Sequence, residues 1–216
     1  MTNLLPFTSN GSTSITLLAL ELVAIFVSAY FCGSISAAII VCRLMGLPDP
    51  RITGSNNPGA TNVLRIGNKT AAIITLLGDA LKGFLPVFIV AYGFDLDAKY
   101  VSAAALGAFL GHLYPVFFGF KGGKGVATAF GIAYGLNLWL GLAASGTWLL
   151  MAVSFRYSSL AALTTFFFLP IYCYLFLGST LMVASMSLIS LLLFYRHRSN
   201  IRNLLNGQES RIGQKK

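Results

Sequence analysis

The chain has 216 residues, of which 56% are hydrophobic and 10% charged, and a formal net charge of +9; its mean hydropathy is +0.76. A soluble domain carries roughly 25% charged residues, so lipid is the solvent for most of this chain and soluble-core logic is excluded. The positive charge is then a map of sidedness, not a sign of nucleic acid.

Residues 1–14 contain no Lys or Arg, and the apolar run after them is too long for a cleavable signal. They lead into a first membrane helix within the apolar stretch 15–46, which is interrupted early by Glu21. Residues 47–69, LPDPRITGSNNPGATNVLRIGNK, hold three prolines and three glycines and predict a loop. Residues 70–93 are apolar again, with Asp79 and Lys82 inside, and 94–100, FDLDAKY, predict a short acidic turn. A third apolar segment, 101–118, ends at the glycine-basic break FKGGKG, 120–125. Apolar residues 126–153 lead to the polar break SFRYSS, 154–159. Residues 160–195 are apolar with Gly178 and Ser179 near the middle, and 196–216 form a basic tail.

Lys and Arg concentrate in 47–69, at Lys121, Lys124 and Arg156, and in the tail, whereas the 94–100 turn has only Lys99 beside two aspartates. The positive-inside rule places the first group in the cytoplasm, the turn outside and the N-terminus outside. Residues 126–153 must then cross twice or not at all. As helix they reach about 42 Å, while two passages of a ~30 Å core need about 60 Å. Two short helices or a partly inserted hairpin follow. The expected fold is an all-α integral membrane protein, a single polytopic domain over 1–216 with seven transmembrane helices, some short, and cytoplasmic active-site loops.

All the unusual chemistry falls at breaks assigned to one face. In the first loop, Ser55, Asn56, Thr61 and Asn62 offer hydroxyls and amides, Gly54 and Gly59 let backbone N–H groups approach a ligand, and Arg65 supplies a forked donor suited to phosphate. In the second, Gly119, Gly122, Gly123 and Gly125 surround Lys121 and Lys124, a setting for a phosphate oxyanion, although the spacing is not that of a Walker A loop. His112 ends an apolar segment, where a structural role is the plainer reading. Arg156 reads equally as a topological anchor, and His197 as a solvated tail histidine. Asp79 and Lys82, one helical turn apart in a membrane helix, read as a structural ion pair. Cys32, Cys42 and Cys173 lie in apolar runs as packing residues; no Cys/His cluster predicts a metal, and no cofactor is expected.

GSNNPGATNVLR (54–65), GHLYPVFFGFKGGKGVAT (111–128) and HRSNIRNLLNGQE (197–209), in this order, resemble the three motifs of the bacterial acyl-phosphate:glycerol-3-phosphate acyltransferases (PlsY). The resemblance runs from about residue 22 to 209. It implies a seven-helix inner-membrane enzyme, with Ser55, Arg65, His197 and Asn200 as catalytic residues. It implies substrate or phosphate contacts from the glycine-rich motif with Lys124, and from Arg156, Ser158 and Ser159, and a structural role for Glu209. The partners implied are acyl phosphate, glycerol 3-phosphate and membrane lipid, with no nucleic acid, and the chain is expected to work as a monomer.

An acyl phosphate is a mixed anhydride whose carbonyl is already activated. Approximation and electrostatic stabilisation can supply much of the catalysis, and direct transfer without an acyl-enzyme is expected. The His-x4-Asp pair of acyl-thioester acyltransferases is absent, since Phe117 stands five residues after His112 and Arg202 five after His197. The base is open between His197, a Ser55 relay and a substrate phosphate. A transporter of a phosphorylated metabolite is the main rival, disfavoured by small size and the lack of an inverted repeat.

Overall fold

The computed structural model describes residues 11–214, with side chains from Ile15 onward. The reading of the first ten residues as uncleaved, and of the last two as tail, lies outside them. All regular structure among the described residues is helical: α1 (Gly11–Gly33), α2 (Ala37–Leu44), α3 (Ala60–Ile66), α4 (Lys69–Phe88), α5 (Ala98–Leu113), α6 (Val126–Leu136), α7 (Leu138–Phe155), α8 (Ser158–Leu177), α9 (Thr180–Arg196) and α10 (Arg198–Leu205), with a π-helical turn at Ile89–Gly93 and a 3₁₀ turn at Val116–Phe118.

Three helix starts are capped by side chains. Asn68 accepts from the Ala71 amide at 2.8 Å, Asn137 from Trp139 and Leu140, and Ser179 from Met182. Two expectations change. The 15–46 stretch breaks at 34–36, and the freed Ile35 carbonyl accepts from Lys82 Nζ at 2.8 Å. That bond is what lets a broken backbone sit among membrane helices. The 47–69 loop is in part helix, because its prolines end at Pro58 and the Ala60–Ile66 segment is free to coil.

Five segments among the described residues are long and apolar enough to cross a membrane: Ile15–Leu44, Lys69–Gly93, Ala98–Phe118, Leu138–Phe155 and Ser158–Leu177. The pair α9 and α10, bent by 60°, makes a sixth if it is one span. The seventh element, α6, has 11 residues, about 16 Å. It is one of two helices in 126–153, as expected, but seven full crossings are not reached by length alone.

Helix α1 packs on α5, α4 on α6, α7 on α8, and α9 on α8 and α5. Phe109, Phe166, Leu113, Ile132, Met186 and Leu193 fill the shared core, while Leu150, Val153, Leu175 and Leu191 stay exposed on the rim, where hydrocarbon takes the place of water. The α4–α6 contact is close because Gly131 has no side chain; a Cβ there would strike the Ala80 carbonyl. Thr128 meets Gly83, Gly131 meets Ala80 and Phe84, and Gly135 meets Phe84 and Val87, so α4 and α6 run parallel. Their N-terminal ends face the same end of the bundle as α3 and α10.

Candidate active site

At that end the first loop is organised by one buried amide. Asn62, 1% exposed, accepts from the Ser55 N–H at 2.8 Å and donates to the carbonyls of Pro50 and Thr53, both at 2.9 Å. Its Oδ1 occupies the place a side chain would take at Gly54, whose φ is +66°. Asn62 thus shapes the loop and sets Ser55 at the cavity lip. Thr61 and Arg65, one turn apart on α3, face the same cavity, and Thr61 Oγ1 lies 3.4 Å from Ser158 Oγ.

The glycine loop is braced from beneath and from the side. The Gly123 N–H donates to the His112 carbonyl at 3.3 Å, and the His112 ring sits where a Cβ of Gly123 would be. Arg196 donates to the carbonyls of Gly122 (2.8 Å) and Gly123 (3.1 Å). Lys124 is thereby turned inward, where its ammonium donates to Asn200 Oδ1. Asn200 Nδ2 donates to Glu209 Oε1 at 2.8 Å, which also accepts from Ser159 Oγ at 2.7 Å. Burial pulls the Lys124 pKa down to about 8, with Glu209 opposing and Arg65 and Arg196 adding to the fall. His197, 3% exposed, has Nδ1 2.9 Å from the Leu193 carbonyl. A carbonyl only accepts, so Nδ1 carries the proton and Nε2 of the neutral ring is an acceptor.

Behind the loop lies a buried ionic group. Asp79 and Lys82 pair at 2.8 Å, and His112 Nδ1 is 3.8 Å from Asp79. The structural pair expected from spacing is present. It also reaches the site, since Asp79 and His112 both touch the cavity.

That cavity holds about 790 Å³. Its polar end carries Ser55, Arg65, Lys124, His197, Asn200 and Glu209; its other end is walled by Ile73, Leu76, Leu77, Ala127 and Phe130. Gly59, Gly125, Ser158 and Ser159 also line it. Asn56, Gly119, Lys121, Gly122, Gly123 and Arg156 are not among the lining residues. Arg156 instead donates to the Ile212 carbonyl at 2.9 Å while its own carbonyl accepts from the Ile212 N–H at 2.6 Å. No group of three His, Cys, Asp or Glu among the described residues could hold a metal.

One cavity joins a polar, basic end to an apolar end, and the sequence relationships agree with it. Residues 23–207 match the glycerol-3-phosphate acyltransferase family model. This chain belongs to that family. The glycerol-3-phosphate acyltransferase of Thioalkalivibrio sulfidiphilus is 57% identical over 192 residues, covering 89% of this chain and 94% of that one. The enzyme of the same name from Thiobacillus denitrificans is also 57% identical, covering 88% and 96%. Crystal structures of PlsY, an integral membrane glycerol 3-phosphate acyltransferase, superimpose with TM-scores of 0.85 (glycerol 3-phosphate form, 37% identity) and 0.82 (lysophosphatidic acid form, 36% identity); each match covers 89% of this chain and 96% of the other. The chain is therefore a bacterial multi-pass membrane protein.

Several residues of the candidate site escaped sequence reasoning. Asn57 and Lys69 line the polar end, and Tyr134, Ser145 and Trp148 the apolar end. Arg196 braces the glycine loop. Only Arg196 and Lys69 gave a signal, as cations where apolar helices begin or end.

Proposed function

We propose that this chain transfers a fatty acyl group from acyl phosphate to glycerol 3-phosphate, giving lysophosphatidic acid and inorganic phosphate. This would be the first acylation of bacterial phospholipid synthesis, at the cytoplasmic face of the inner membrane. The observation that carries this reading is the single cavity in which Arg65 and Lys124 stand at one end and a run of aliphatic and aromatic side chains at the other. A soluble phosphate ester needs only the first end, and a lipid tail only the second.

In this reading Arg65 and Lys124 neutralise the two phosphates and Asn200 holds Lys124 in place. Ser55, Thr61 and Ser158 orient the glycerol hydroxyls. The glycerol hydroxyl oxygen attacks the carbonyl carbon, the carbon–oxygen bond to phosphate breaks, and the hydroxyl proton ends on the departing phosphate. Neutral His197, with Nε2 as acceptor, is placed to orient that hydroxyl. The donor's anhydride is already activated, so no acyl-enzyme is required, and approximation with charge stabilisation suffices. Acyl phosphate is favoured over an acyl thioester because the His-x4-Asp pair is absent. The basic breaks support a topology with this end of the bundle and the C-terminus in the cytoplasm and the N-terminus outside.

The deciding experiment is an assay of purified protein with glycerol 3-phosphate and either acyl phosphate or acyl-CoA. Lysophosphatidic acid from acyl phosphate alone is expected. Product from acyl-CoA alone would overturn the donor, and no product from either the activity.

A further inference from the structure

Along the bundle the lining residues of the apolar end run out at one level, and the residues found there are unlike its walls. On α6 the lining residues Ala127, Phe130, Gly131 and Tyr134 recur at helical spacing and stop at Tyr134; on parallel α4 they stop at Ala80. Beyond these, Val87, Leu136 and Leu140 are buried, so packed side chains and not open space lie further along. Helix α7 returns antiparallel to α6 after Asn137, setting Gly141 beside Tyr134 and Ser145 one turn further along α7, within reach of the Tyr134 hydroxyl. There Tyr134 Oη donates to Ser145 Oγ at 2.9 Å. The Tyr134 ring packs against Gly141 of α7, occupying the space a Cβ there would need. The aromatic ring is thus fixed at both ends: its stem belongs to α6, its hydroxyl is tied to α7, and a glycine leaves it room. Tyr134 is half-buried and lines the cavity.

We propose that the tied Tyr134–Ser145 pair is the floor of the acyl-chain groove and sets which chain lengths the enzyme uses. The inference rests on the acyl-phosphate reading above. From Lys69 to Ala80 the α4 wall is about 16 Å long, a finite run for a chain whose head is held at Lys124. A chain that ends at the floor buries every methylene. A longer one must displace the ring from its seat or bend out of the groove. Only a hydrogen-bonded ring makes such a floor firm, which accounts for two polar hydroxyls in an otherwise apolar wall.

The test uses full-length protein in lipid nanodiscs with lauroyl, palmitoyl and stearoyl phosphate, reading kcat/KM for each as lysophosphatidic acid formed. Tyr134→Ala uncovers the slot over Gly141, and the stearoyl-to-palmitoyl ratio should rise about fivefold or more, given that one buried methylene is worth ~4-fold. Tyr134→Phe keeps the ring but frees it, and should move the ratio the same way by less. Ser145→Leu adds bulk at the floor and should lower the palmitoyl-to-lauroyl ratio, a shift that loss of folding cannot produce. Unchanged ratios in all three variants would overturn the floor while leaving the activity intact. A wild-type chain that turns over acyl-CoA and no acyl phosphate would instead overturn the reading beneath it, and the same three ratios measured on the CoA esters would then decide the floor separately.

Discussion

Lys124 and Asn200 stand 76 residues apart in sequence, yet the lysine ammonium donates to the asparagine Oδ1 inside the cavity. A half-neutralised bond of this kind keeps the cation aimed inward without pairing it to a carboxylate, so its charge stays available to a phosphate. Burial leaves that lysine with a pKa of about 8.

Activity should therefore fall as pH rises through about 8. Below that value Lys124 is cationic and attracts phosphate; above it the charge is lost. The falling limb should appear in kcat/KM, which reports the free enzyme, and Lys124→Arg should move it to higher pH because a guanidinium stays protonated. For stability the sign is opposite. The folded pKa lies below the ordinary 10.5, so between about 8 and 10.5 the unfolded chain holds more protons and stability rises with pH. A limb that stays at pH 8 in Lys124→Arg would assign it to another group.

Glu209 gathers Ser159 and Asn200 onto one oxygen, Oε1. Removing it should loosen the tail from α8 and release Asn200 from Lys124. Hydrogen bonds to a charged group contribute about 1.5–3 kcal/mol each, so Glu209→Ala should lower kcat/KM at least about tenfold. Glu209→Gln keeps a carbonyl acceptor and should retain much more activity. Equal losses in the two variants would mean that the negative charge matters, not the two bonds.

Most of the site was legible because its residues carry chemistry that lipid cannot accept unless something needs it. Ser55, Arg65 and Lys124 stood out as polar groups at breaks, His197 and Asn200 were marked by the family resemblance, and all five meet in one cavity. What sequence hid is of four kinds. The helical state of Ala60–Ile66 was masked by prolines and glycines just before it. Asn62 looked like a ligand partner but spends its donors and acceptor on Pro50, Thr53 and Ser55, and composition cannot tell an inward amide from an outward one. The apolar half of the cavity was invisible, because Phe130 or Leu76 lining a groove reads like any residue facing lipid. The break at 34–36 was also missed, since the lysine that satisfies its carbonyl lies 47 residues away.

The buried Asp79–Lys82 pair should be far more sensitive to single than to double substitution. Both side chains are nearly inaccessible, at 3% and 6%. Removing one partner leaves an uncompensated charge, which costs about 3–5 kcal/mol, whereas replacing both with apolar residues is often neutral. Asp79→Leu and Lys82→Met should each lower the unfolding temperature in detergent, and the double variant should recover most of the loss. Lys82 also satisfies the Ile35 carbonyl, so recovery should stop short of wild type. Additive losses would show that the two charges act independently.

Ser55, Arg65 and Asn62 share one loop-and-helix unit but should fail in different ways. Ser55→Ala removes a hydroxyl from the cavity lip while its backbone N–H keeps the bond to Asn62. Arg65→Ala removes a cation without breaking any loop bond. Both should abolish turnover while membrane expression and thermal stability stay near wild type. Asn62→Ala leaves the Ser55 amide and two carbonyls without their partner, at about 1–3 kcal/mol for each group left buried and unpaired. Its activity and stability should fall together. Asn62→Asp keeps the Oδ1 acceptor for Ser55 but loses both donated bonds, and should fall between. Comparing turnover with unfolding temperature across the four variants separates the two roles. Near-normal rates in Ser55→Ala and Arg65→Ala would remove those residues from the chemistry, and a stable but inactive Asn62→Ala would move Asn62 from holding the loop to touching the substrate.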